Sequence, residues 1–110
     1  MNNQIVKLTV WERMTLLDVL GQQRGDVRTL RKALALMTML ELTDDEKVKV
    51  KFIQYSEQQY AWEDREYALD VEFNDGNNLA YLKELLKAHQ FPVAVARLAL
   101  AMLEKFGITD

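Results

Sequence analysis

The chain has 110 residues, with 49% hydrophobic residues, 28% charged residues and a formal net charge of −3. That is the size and balance of one globular domain with a core of its own, and it argues against disorder. The negative balance argues against a general nucleic-acid binder held by long-range attraction, while leaving room for a local basic patch, and the absence of cysteine excludes disulfides, thiol nucleophiles and cysteine-ligated metal sites.

The opening residues, MNNQIVKLTVWER, lack the basic flank and apolar stretch of a secretory signal. Apolar runs such as 33–37 and 93–96, and the longest at 98–103, are far too short to span a bilayer. A cytoplasmic protein is the expectation, without membrane contact.

Thr9 and Glu12 stand three apart before an apolar-periodic run, the spacing of a capping box, and predict a first helix over about 10–20. Leu16, Leu17 and Leu20 face inward in it, Trp11 lies near its start, and Gly21 suits a left-handed terminus. Asp26 is placed to cap a second helix in which Val27, Leu30, Leu34 and Met37 recur at helical spacing. Thr43 and Glu46 repeat the capping-box spacing, predicting a short helical turn over 44–47.

Val48, Val50 and Phe52 then alternate with Lys47, Lys49 and Lys51, the two-residue rhythm of a half-buried strand. Tyr67, Leu69, Val71 and Phe73 alternate with acids in the same way, and a turn over 56–59 would join the two runs. Asp75-Gly76 marks a further turn, after which Leu79, Leu82, Leu85 and Leu86 share one helical face over about 78–89. Pro92 opens a final helix, PVAVARLALAMLEKF, which Gly107 ends. The expected fold is one α+β domain over residues 1–110. It is predominantly helical, with four to five helices and one two- or three-stranded antiparallel hairpin sheet in the middle.

Three clusters are candidates for function. Arg24, Arg28, Arg31 and Lys32 gather about the start of the second helix, where the helix dipole disfavours cations. Positive side chains beside free backbone N–H groups suit a phosphate-bearing small molecule or an acidic partner. The plainer reading is a solvated face whose arginines pair with acids such as Asp26.

Tyr60, Trp62 and Tyr67, with Tyr55, form either a partner-binding surface or an aromatic closure of the sheet against the helices. The final helix carries charge only at Arg97, Glu104 and Lys105. Its apolar circumference is either core or a self-association seam through Val95, Ala96, Ala99, Met102, Leu103 and Phe106.

His89 is the only histidine and has no cysteine companion, so no metal site, cofactor site or catalytic pairing is recognisable. A winged-helix DNA reader fits the element order, but the supposed recognition helix turns apolar after Lys32 and the supposed wing ends in acids.

In outline the chain resembles small phage and prophage accessory proteins. The similarity rests on the opening LTVWERMTLL (8–17), the Thr29-Leu30-Arg31 step, the acidic stretch 43–46, the isolated Trp62 and the ending LAMLEKF (100–106). Residues 53–67 have no clear counterpart. The resemblance implies a phage accessory protein, of a kind that often acts by binding a host component, and it transfers no site residue. The missing catalytic groups and the apolar final helix add the expectation of a non-enzymatic binder that works as an oligomer. A virion structural or assembly component is the alternative, and a DNA-binding regulator a more distant one.

Overall fold

The computed structural model describes residues 4–56 and 59–109. The fold is α+β and mostly helical. In chain order it runs β1 (Gln4–Thr9), α1 (Val10–Gly21), α2 (Val27–Leu40), α3 (Asp44–Val50), β2 (Ile53–Gln54), β3 (Tyr60–Ala61), β4 (Ala68–Phe73), α4 (Gly76–Ala88), a 3-10 turn (Val93–Val95) and α5 (Ala96–Lys105).

The helix starts follow local chemistry. Thr9 Oγ1 accepts from the Glu12 N–H while the Glu12 carboxylate accepts from the Thr9 N–H, so both sides of the capping box form. Thr43 and Glu46 do the same for α3. The Asp26 carboxylate accepts from the Thr29 N–H at 2.9 Å and starts α2, while Asp75 accepts from Asn77 and Asn78 to start α4. At the far end of α5, Gly107 takes φ +77°. There the Gly107 and Ile108 N–H groups donate to the carbonyls of Glu104 and Leu103, a Schellman closure that seats Ile108 in the core. Gly21, by contrast, is the last helical residue of α1 and not a left-handed cap.

The strands pair differently from the expected hairpin. Residues 48–50 belong to α3, where Val50 is buried and Val48 exposed, and Lys51 closes the helix in the left-handed region at φ 55°. Three acids in the first turn and a complete capping box favour helix there, and they outweigh a three-residue apolar alternation. β4 pairs instead with β1, antiparallel, with Val6 opposite Val71 and Leu8 opposite Leu69. β2 and β3 form a separate two-residue pairing. The expected turn over 56–59 lies partly outside the described residues.

The inner face of β1 and β4 contributes Val6, Leu8, Val71 and Phe73 to the main core. Leu16 and Leu20 of α1, Leu36 and Leu40 of α2, Leu82 and Leu86 of α4, Met102 of α5 and Phe106 just after it cover it. A smaller cluster joins Val10, Leu42, Val50 and Trp62 under α3.

One buried ionic knot ties the helices together. Arg13, only 1% exposed, donates from Nε to the Leu40 carbonyl at 2.9 Å and from an Nη to the Glu41 carbonyl at 2.6 Å. It also meets both oxygens of Glu46, at 2.6 and 3.1 Å. The Tyr67 hydroxyl donates to Glu46 at 2.7 Å. Arg13 therefore satisfies the open carbonyl end of α2 and pins α1 to α3. A second buried acid, Glu12, accepts from Lys105 Nζ at 2.6 Å and ties α1 to the end of α5.

Candidate functional site

α2 is apolar on two arcs, and only one of them is covered. At 100° per residue, Ala33, Leu36 and Leu40 lie together and enter the core. Val27, Leu30 and Leu34 lie on a second arc and remain 63%, 51% and 65% exposed. The periodic face of Val27, Leu30, Leu34 and Met37 is thus mostly the outward one, with Met37 half-buried at its end. Arg31 explains the choice. It falls among Val27 and Leu34 on the helix surface, while Leu40 lies half a turn away from it, so burying the first arc would drag a guanidinium into the core.

Arg24, Arg28 and Arg31 are exposed and Lys32 half-buried beside this arc. Arg28, Arg31 and Lys32 line a shallow depression of about 470 Å³ with Val27 and with Asn78 from the start of α4; Arg24 lies outside it. Among the described residues, none of the four cations takes part in an ion pair, so the expected pairing with Asp26 does not form. Asp26 is committed to the Thr29 N–H, which holds its carboxyl below the usual range. The helix terminus therefore already carries a carboxylate where an incoming anion would bind, and the cations are left facing outward.

A larger cleft of about 990 Å³ opens at the other end of α2. Met14 and Leu17 of α1, Met37, Leu42, Phe52 and Tyr60 give it apolar walls, and Asp18, Gln22, Glu41 and Lys47 stand among its polar groups. Burial and the Asp18 carboxylate push the Tyr60 hydroxyl up. Met37 belongs both to this cleft and to the end of the α2 arc, so the two surfaces are continuous. Methionines on such a surface adapt to varied partner shapes.

The aromatic candidates are largely engaged within the chain. Phe52, Tyr60 and Trp62 form a stacked column with centroid separations of 5.7 and 5.6 Å, and the Arg65 guanidinium lies 4.1 Å over Trp62. Trp62 is buried, and Tyr67 is held by its hydrogen bond to Glu46, which raises the phenol. Tyr60 reaches the cleft wall, and Tyr55, Tyr60 and Trp62 line a separate shallow depression of about 470 Å³ with Arg65, while Tyr67 lies outside both.

Of the two readings of the final helix, core and self-association seam, the buried residues follow the first. Ala99, Met102 and Phe106 are core residues of the chain itself, and Val95, Ala96 and Leu103 are half-buried. Phe106 packs edge-to-face on Phe73 at 5.8 Å. The large apolar residues that α5 exposes are Leu98 and Leu100, neither of them among the seam candidates.

His89 stacks edge-on against Phe91 at 4.6 Å, and no group of three potential metal ligands occurs among the described residues. No helix among them is long and apolar enough to cross a membrane. Comparisons with protein-family models, curated proteins and solved structures returned no match.

Proposed function

We propose that the protein is a non-enzymatic accessory factor of the phage type that works by binding protein, with the outward arc of α2 and its adjoining cleft as the recognition surface. The observation that carries this reading is the uncovered line of Val27, Leu30 and Leu34 on a helix whose opposite face already supplies the core. Scattered exposed aliphatics are ordinary, but three in register along one helix, running into a methionine-lined cleft, form a patch of the kind partners cover. The unpaired arginines at one side supply a rim that selects an acidic partner surface. The Asp26 carboxylate counts against a small phosphate ligand at the helix terminus, and so favours a protein partner over that alternative.

The test separates binding from folding. Leu30→Asp and Leu34→Asp each place a charge on the arc without touching the core. Each variant is expected to change unfolding free energy by no more than about 1 kcal/mol. Capture of protein by the immobilised chain should fall at least tenfold, while Leu98→Asp leaves capture unchanged. Capture that survives both α2 substitutions contradicts the proposal.

A further inference from the structure

The occupant of the α2 arc is readable from the distribution of charge along the helix. Its N-terminal end carries Arg24, Arg28 and Arg31, all exposed and without ion pairs among the described residues. Its C-terminal end carries the exposed Glu41, followed by the exposed Asp44 and Asp45. Between the two ends the arc is uncharged: Leu34 and Thr38 lie on it, with Leu30 beside Arg31, and among the described residues the side-chain hydrogen bond there runs from the Thr38 hydroxyl to the Leu34 carbonyl of the same helix. A surface that is basic at one end, apolar in the middle and acidic at the other complements itself when turned end for end.

We propose that the arc is covered by a second copy of this chain, with α2 packed antiparallel on its equivalent about a twofold axis near Leu34. This rests on the reading of the α2 arc as an interaction surface and names its partner. Such an isologous contact sets the same patch against itself. Leu34 meets Leu34 of the partner at the axis, and Leu30 lies over the partner's Thr38. The basic end of each helix lies over the acidic end of the other. A parallel pairing would stack arginines on arginines and acids on acids, and like-charge juxtaposition disfavours it.

A 14-residue helix is about 21 Å long, so a seam of one helix per copy is at the small end of specific interfaces and predicts association in the micromolar range.

Because the chain has no cysteine, single cysteines report the geometry cleanly. A disulfide needs Cα atoms within about 7 Å. Position 34 satisfies this in the antiparallel pair, whereas the two copies of position 27 stand roughly 21 Å apart, from 7 residues of rise on each side of the axis. Under mild oxidation Leu34→Cys is expected to give a disulfide dimer and Val27→Cys to stay monomeric.

Sedimentation supplies the second arm. Arg28→Glu with Arg31→Glu is expected to weaken the dimer at least tenfold, and Glu41→Lys with Asp44→Lys to do the same. All four together restore it, because each end again faces its opposite; that recovery also shows that the variants fold. Cross-linking at both 27 and 34 overturns the antiparallel register. A wild-type chain that stays monomeric at about 1 mM overturns self-pairing altogether. If Leu34→Asp still abolishes protein capture in that case, the binding surface stands and only its occupant is wrong.

Discussion

Arg13→Ala is expected to cost about 3–5 kcal/mol of unfolding free energy, the largest single-residue loss on the polar side of the fold. The side chain is almost wholly buried and makes contacts to Leu40, Glu41 and Glu46 at once. Its removal leaves the Glu46 carboxylate buried with only the Tyr67 hydroxyl and the Thr43 N–H, and it reopens two carbonyls at the end of α2. Replacing Arg13 and Glu46 together by Met and Leu should recover part of the loss, since it removes the stranded charge but not the open carbonyls.

The same knot sets the acid response. Burial works to raise the Glu46 carboxyl, but the Arg13 guanidinium, the Thr43 N–H and the Tyr67 hydroxyl outweigh it and hold the group down to about 2, against an ordinary value of 4.5. The unfolded chain therefore binds this proton more tightly than the folded one. The stabilisation is fully present above about pH 4.5 and is lost as pH falls through 4.5 toward 2, by a few kcal/mol at most. Urea unfolding across that range should show a steep decline for the wild-type chain and a flatter one for Glu46→Gln. Equal slopes would remove Glu46 from the account of acid sensitivity.

Phe106→Ala is the second large effect, expected at about 3–5 kcal/mol, and it decides between core and seam for the final helix. Phe106 is enclosed by the chain's own residues and rests edge-on against Phe73. Truncation leaves a cavity at the junction of α5 and the β1–β4 sheet, whatever the protein concentration. Were Phe106 an interface residue, the loss would grow with dilution and a dilute chain would be nearly indifferent. Leu98→Ala and Leu100→Ala, both exposed, serve as controls and should change stability by no more than about 0.5 kcal/mol.

Much of this architecture is legible in the residue order wherever local chemistry decides the outcome. Thr9-x-x-Glu12 and Thr43-x-x-Glu46 announce two helix starts, Asp26 and the Asp75-Gly76 turn two more, and Gly107 a terminus; all form as their side chains require. The strand pairing is not legible in the same way. The alternation at 48–52 is short and its β-branched valines invite a strand, yet the cap and acids just before it carry the helix through Val50. The true partner of β4 is Gln4–Thr9, where Val6 and Leu8 alternate with Lys7 and Thr9, far away in the chain: Val6 pairs with Val71. Nothing local links them; the long-range register is decided by which faces can be buried together.

The candidate surface was half visible. The cations at 24, 28, 31 and 32 stand out in the sequence, and so does the spacing of Val27, Leu30 and Leu34. What misleads is that α2 carries two apolar arcs, and period alone does not say which is inward. The position of Arg31 does: the arc opposite it, through Leu36 and Leu40, is the one that is buried. The final helix poses the same difficulty, since nearly all of its circumference is apolar and only the fold shows that Ala99, Met102 and Phe106 point in while Leu98 and Leu100 point out.

On the proposed reading α2, and not the apolar final helix, is the face the protein uses. Methyl NMR over a dilution series of the intact chain tests it most directly, because Leu30 and Leu34 of α2 and Leu98 and Leu100 of α5 report the two faces in one sample. Concentration-dependent shifts are expected at Leu30 and Leu34, with Leu98 and Leu100 unmoved. Shifts confined to Leu98 and Leu100 would contradict that reading and return the interaction surface to the final helix.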